Sequence, residues 1–178
     1  MQMDEGMDTG PVLATSAIDI APDETAATLA ERLSTLGATL LRERLTHYLA
    51  GELHAQPQDD AYATTAPPLR KEDGLLDWTQ TAQQVHDRVR GAQPWPGAYT
   101  FLEGARVKVW RTCVLDPAGT HGAAGEVLAT GTALEVACGQ GRIAMQELQP
   151  EGSRRMQASD YCAGRRVARG ARFETGAA

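Results

Sequence analysis

Leu29, Leu33, Leu36, Leu40, Leu41, Leu45 and Leu49 recur at steps of three and four residues, the repeat of one helix face. The spacing predicts a long amphipathic helix from Thr25 to about Ala50, with capping residues in Pro22-Asp23-Glu24-Thr25 and a stop at Gly51. Ahead of it, Pro11 to Ile20 (PVLATSAIDI) suits a strand. A strand followed by a long helix reads as the tail of an α/β sheet, which some 60 residues are too few to build alone. A second, shorter helix is expected after a cap at Thr79 or Thr81, with Ala82, Val85, Val89 and a packed His86 facing a core, ending before Gly91 and the Pro94-Trp95-Pro96 corner. Beyond Gly97 the period changes to two. Ala98–Glu103, Arg106–Val114, Gly125–Thr130, Ala133–Ala137 and Arg142–Leu148 are five strand-like runs separated by glycine-bearing turns. Five short strands suggest a small OB-like barrel, with Val107 and Val109 inside and Arg106 and Lys108 outside. Ala158 to Gly164 reads as a closing helix, followed by an arginine-rich tail of Arg165, Arg166, Arg169 and Arg172.

Between these halves, residues 52–78 hold Pro57, Pro67, Pro68, Asp59-Asp60 and Lys71-Glu72-Asp73-Gly74, a composition that favours an extended connector over a packed element. The resulting scheme is α+β: residues 1–61 as an α/β remnant, 62–96 as a linker with a short helix, and 97–178 as the barrel. At 178 residues the chain is too short for a large two-domain enzyme. The net charge of −6 hides an asymmetry: residues 1–60 carry 11 acids and 3 bases, whereas residues 61–178 carry 12 acids and 14 bases. From Arg142 onward all seven bases are arginines, the side chain best shaped for bidentate phosphate contact. Nucleic acid binding and an ordinary solvated face both fit that bias. Cys113, Cys138 and Cys162 lack metal-ligand spacing and read as reduced thiols or core residues, so no metal is expected. No run approaches the roughly 20 apolar residues of a spanning helix. The opening Met1-Gln2-Met3-Asp4-Glu5 is acidic where a secretory signal is basic. A cytoplasmic protein with no membrane partner is the expectation.

The first candidate chemistry lies in Met3-Asp4-Glu5-Gly6-Met7-Asp8-Thr9-Gly10, where glycines allow a tight turn and close approach to a flat ligand. A carboxylate in such a loop can orient a histidine or join a proton relay, and the same residues also make an ordinary acidic turn.

Taken together, MQMDEGMDTGPVL, ETAATLAERLSTLGATLL, PQD…YAT…LRKEDGLLDW, VRGAQPWPGAYT, VKVW, ELQPEGSRRM and GRRVARGARF resemble, in order, parts of the methionyl-tRNA formyltransferases. The resemblance implies an enzyme of translation initiation that moves a formyl group from 10-formyltetrahydrofolate to the amino group of initiator methionyl-tRNA. It further implies a doubly wound catalytic domain and an OB-like C-terminal domain that helps to hold the tRNA. By its place in the motif Asp8 matches the family's catalytic aspartate, which orients a histidine, and Met3, Asp4, Glu5, Gly6 and Met7 match the loop along the folate ring. The asparagine and histidine that complete the family's site lie upstream of this loop, and the sequence contains no asparagine. His47, His54, His86 and His121 fall in segments that match other parts of the family. A truncated formyltransferase, inert by itself, is therefore expected.

For the tRNA partner the candidates are Arg70 and Lys71 in the linker, Arg106 and Lys108 on the barrel, and Arg154 and Arg155 after the last strand. Pro68 stands where the family usually has a lysine. Trp78, Trp95 and Trp110 could stack on bases or pack between linker and barrel. A monomer is expected. The rival reading is a non-catalytic RNA-binding OB-fold module. A folate-dependent formyltransferase acting on a sugar nucleotide or purine precursor would share Asp8 but leave the barrel unexplained.

Overall fold

The computed structural model describes residues 1–175, so the last three positions of the 97–178 segment lie outside the described residues. The chain divides into two compact units, one formed by Met1–Pro22 with Ala27–Pro68, the other by Asp23–Ala26 with Leu69 onward.

In the first unit the leucine repeat forms α1, Ala26–Leu49. Its last turn closes through Gly51 N–H to Tyr48 O and Glu52 N–H to His47 O, with Gly51 at φ +75°. None of its residues is buried. The strand expected over Pro11–Ile20 does not form. Only Val12 pairs, exchanging 2.8 Å hydrogen bonds with Gln56. A strand exists only where a partner edge takes up its backbone groups, and among the described residues the rest of this run has no strand partner, Pro11 O accepting a lone bond from Gln2 N–H at 2.9 Å.

The second unit holds the core. Thr81 caps α2, Ala82–Gly91: its hydroxyl accepts from Gln84 N–H at 3.2 Å while the Gln84 side chain accepts from Thr81 N–H at 3.0 Å. Ala82, Val85, His86 and Val89 are buried, the face the spacing predicts. The five period-two runs become β1 (Tyr99–Leu102), β2 (Ala105–Asp116), β3 (Val127–Thr130), β4 (Leu134–Ala137) and β5 (Arg142–Pro150). Two strands escape the sequence reading: β6, Met156–Gln157, and β7, Phe173–Glu174, on either side of α3, Ala158–Arg165. The sheet is antiparallel throughout, ordered β3-β4-β5-β2-β1-β7 with β6 on β5, so seven strands replace the expected five. Register shifts after Val109, Arg111 and Val114 mark the irregular bends that curl a long strand.

The sheet curls into a half-barrel, and the last described segment draws its edges together. Phe173 and Leu102 pair across β7 and β1. On the other side Val127 N–H donates to Ala171 O, Gly170 N–H to Val127 O and Phe173 N–H to Gly125 O, each at 2.8 Å. Gly125 is required here, because a Cβ would stand 2.2 Å from Phe173 O. The Phe173 ring is buried, its centroid 5.8 Å from that of Trp78. Burial of Leu76 and Trp78 also corrects the connector reading: Gly74, Leu76 and Trp78 point inward, and Leu76 N–H bonds to Tyr99 O at 2.8 Å. Proline and charge around DGLLDW concealed this inward alternation.

Candidate functional site

In the first unit the loop over Met3–Asp8 is built by local hydrogen bonds. The Asp4 carboxylate accepts from Thr9 Oγ1 at 2.7 Å and from Gly6 N–H at 3.1 Å. The Gln58 amide donates to Asp8 O and Gly10 O, both at 2.8 Å. A side chain at Gly10 would put Cβ 1.8 Å from Gln2 O, so the chain crossing there accepts glycine only. Asp8 sits at φ +57°, a region that aspartate tolerates better than most residues. Met3, Asp4, Glu5, Gly6, Met7 and Asp8 are all exposed. Beside Met7 and Asp8 lies a concavity of about 580 Å³ bounded also by Gln56, Gln58 and Tyr62. Gln58 is a clamp that the sequence reading missed, since its partners stand 48 and 50 positions away.

No histidine meets Asp8 among the described residues. His47 pairs with Glu52 at 2.7 Å, and His121 lies 3.0 Å from Asp116. His86 is buried against the Thr112 hydroxyl at 2.9 Å, with the Asp23 carboxylate 3.8 Å away. The thiols of Cys138 and Cys162 are buried, and burial pushes Cys138 up to about 12; such thiols are inert.

In the second unit the basic candidates separate. Antiparallel register places Tyr99, Lys108 and Gln149 in one row across β1, β2 and β5, with Phe101 opposite Arg106 in the next row. Val107 and Val109, between them, are buried. The outward face therefore carries Tyr99, Arg106, Lys108 and Trp110. The Arg106 guanidinium lies 3.8 Å from the Tyr99 ring centroid. Lys108 Nζ is 5.9 Å, and the Arg155 guanidinium 5.0 Å, from the Trp110 ring. The Trp110 indole N–H donates to Gln149 Oε1 at 2.9 Å, and the Gln149 amide in turn donates to Ser153 O at 2.9 Å. Arg155 is ion-paired with Glu147.

Arg154 is exposed and lines a different concavity, with Asp160, Tyr161 and Arg165. Arg70 and Lys71 are exposed at a single turn of 3₁₀-helix, where Asp73 accepts the Arg70 backbone N–H at 2.6 Å. The structure thus gathers Arg106, Lys108 and Arg155 on one face and leaves Arg154, Arg70 and Lys71 outside that group. Trp78 takes no part, being buried with its indole N–H on Thr100 Oγ1 at 2.9 Å. Trp95 is half exposed. Of the arginines after β4, Arg142 is held by Glu135 at 2.8 Å and Arg172 by Ala124 O at 2.9 Å, so both serve the fold.

The chain matches known protein families over stretches that hold both the Met3–Asp8 loop and strands β1–β6. It matches the family described as "Formyl transferase, C-terminal domain" over residues 68–166, and "Formyl transferase" over residues 1–45. The chain belongs to the formyl transferase family. Among relatives, it is 49% identical over 174 residues to "Methionyl-tRNA formyltransferase" of Geobacter sulfurreducens, covering 97% of this chain and 54% of that protein. It is 47% identical over 171 residues to the protein of the same name from Myxococcus xanthus, covering 96% of this chain and 54% of that one. The chain therefore spans about half the length of the curated relatives it matches. A similar solved structure is HypX from Aquifex aeolicus in complex with tetrahydrofolic acid, with a TM-score of 0.64 at 20% identity over 89% of this chain and 28% of that one. That likeness shows the fold alone.

Proposed function

We propose that this chain provides the donor-loop and tRNA-holding parts of a methionyl-tRNA formyltransferase, the enzyme that formylates initiator methionyl-tRNA. The observation that carries this reading is the near-complete, collinear match to relatives of that name. The basic outer face of β2 supports the tRNA partner. In this reading residues 1–61 belong to the catalytic domain, 62–96 form the linker, and 97–178 form an OB-like barrel in which β1 to β5 are the five principal strands. Translation initiation makes the cytoplasm the compartment.

10-Formyltetrahydrofolate supplies an activated formyl carbon when bound. The residues present fit such a ligand: Gly6 and Gly10 shape the loop, Gln58 ties it through Asp8 O and Gly10 O, and Met3 and Met7 stand 94% and 91% exposed, free to cover a flat ring. Met3, Asp4, Glu5, Gly6 and Met7 would hold the donor. The Asp8 carboxylate would orient and electrostatically support a histidine that takes the proton from the attacking methionyl amine. Arg106, Lys108 and Arg155 on one face, and Arg70, Lys71 and Arg154 apart from them, would meet phosphates. Such contacts fix the position of the RNA and carry little base information.

The test is initiator tRNA binding by the 178-residue chain across a salt series, with formyl transfer assayed in the same tubes. Salt-sensitive binding without formylation is expected, because none of the four histidines stands with Asp8 among the described residues and the sequence has no asparagine. Absence of binding at low salt would reject the tRNA-holding role, and formylation above background would reject the requirement for a partner to Asp8.

A further inference from the structure

The outer face of β2 holds more than a set of surface cations. Neither Arg106 nor Lys108 has a carboxylate partner among the described residues. Each is held by an aromatic ring instead, Arg106 on Tyr99 and Lys108 on Trp110. Arg106 Nε is buried without an acceptor, so stacking rather than hydrogen bonding keeps this guanidinium in place. Trp110 is itself fixed, its N–H bonded to Gln149 and Gln149 tied to the turn after β5. Arg106, Lys108 and Gln149 also line a cleft of about 190 Å³, closed by Pro150, Glu151 and Gly152.

Long cationic side chains lose rotamer freedom when they bind, which weakens binding. A cation already stacked on a ring has lost most of that freedom before the ligand arrives. Its charge stays available, because a ring quadrupole holds it without neutralising it, whereas a carboxylate would do both. Arg155 is the contrast within the same cluster: it lies over Trp110 but is neutralised by Glu147.

We propose that Tyr99 and Trp110, with Gln149 behind the indole, are positioning residues that brace Arg106 and Lys108 as a preorganised clamp for one backbone phosphate of RNA in the Arg106–Lys108–Gln149 cleft. This rests on the reading that this face meets tRNA. Trp110 is a brace and not a stacking platform: Lys108 and Arg155 already lie against its ring, and a base would have to displace them. The clamp therefore reads no base.

The experiment is a salt-series titration of the full chain with unmodified initiator tRNA transcript, using variants whose melting curves match the wild type. Arg106→Gln and Lys108→Gln should each reduce the slope of log affinity against log salt by about one. Tyr99→Leu and Trp110→Leu should weaken binding about threefold to tenfold at every salt concentration, because the charges remain, and leave the slope unchanged. Trp110→Phe should restore most of the loss. In the Lys108→Gln, Arg155→Gln double variant, Trp110→Leu should have no further effect, since the ring then has nothing to brace.

A single-stranded oligonucleotide with an abasic stretch should compete as well as its base-bearing counterpart. Wild-type binding with Trp110→Leu unchanged overturns the brace alone. Abasic competition about tenfold poorer, with the difference removed by Trp110→Leu, overturns it in favour of base stacking. Absence of salt-dependent binding by the wild type overturns the reading of the face itself, and the clamp with it.

Discussion

α1 is 24 residues long and buries none of them, whereas α2 is 10 residues long and buries four. The longer helix has the clearer leucine repeat, yet Leu33, Leu41, Leu45 and Leu49 remain 43–74% exposed. The shorter one lies against β2 and shares a core with Trp78, Val109 and Phe173. An amphipathic stripe specifies a helix and the side it should bury. Burial itself comes only from a second surface, and most helix stability in proteins comes with it. In the second unit curled strands provide that surface for one another, while in the first unit the leucine stripe of α1 stays unburied.

The sharpest way to break this comparison is limited proteolysis of the whole chain. The first unit should be digested early, leaving a resistant product that begins within a few residues of Leu69, because local opening there costs close to nothing while the core opens only with global unfolding. Equal lifetimes for both units would mean that the leucine face is covered in solution.

Next in size is the seam that draws the sheet edges together. Phe173→Ala removes a fully buried ring and should lower the stability of the second unit by about 3–5 kcal/mol, read from denaturant unfolding followed by tryptophan fluorescence. Leu41→Ala on α1, a change of similar chemistry at a site 61% exposed, should stay within about 0.5 kcal/mol. If the two substitutions cost the same, the contrast between the units fails.

The smallest effect is electrostatic. Asp77, at the entrance to α2, has its carboxyl held below the usual range by hydrogen bonds from the Thr79 hydroxyl at 2.7 Å and the Thr79 N–H at 3.0 Å. A lowered folded value favours the ionised folded form, so its stabilisation is complete well above the unfolded value of about 3.9. It is lost as the pH falls through that value toward the lower folded one. The site is open to solvent, so the gain should be under about 1 kcal/mol. Asp77→Asn should lower the stability of the second unit at neutral pH and flatten the acid limb of its stability–pH curve, so that variant and wild type converge at low pH.

Of the candidate site, the Asp8 loop could be picked out in the sequence by its resemblance and the six candidate cations by charge, Arg106 and Lys108 also by period. Their supports could not. Tyr99 meets Arg106, and Trp110 meets Gln149 39 positions away, only through cross-strand register. Gln58 reaches Asp8 across 50 positions. Neither relation leaves a local pattern. Trp78 shows the converse: its neighbourhood looks like linker by composition, and only the packed structure reveals it as a buried member of the core.

The sequence by itself determined the two longer helices, the five principal strands and which face of each is apolar, because periodicity is a local property that a helix or a pleated strand expresses wherever it sits. It also determined where glycine must turn the chain, as at Gly51 and Gly104, both at positive φ. Tertiary structure alone decided that Pro11–Ile20 does not become a strand, that two-residue β6 and β7 do, and that Phe173 joins the sheet's edges. A strand is completed by hydrogen bonds to a partner, and a two-residue strand is too short to carry a period. Its existence depends on an edge brought near by the rest of the fold, which here lies more than 40 positions away for β7 against both β1 and the start of β3.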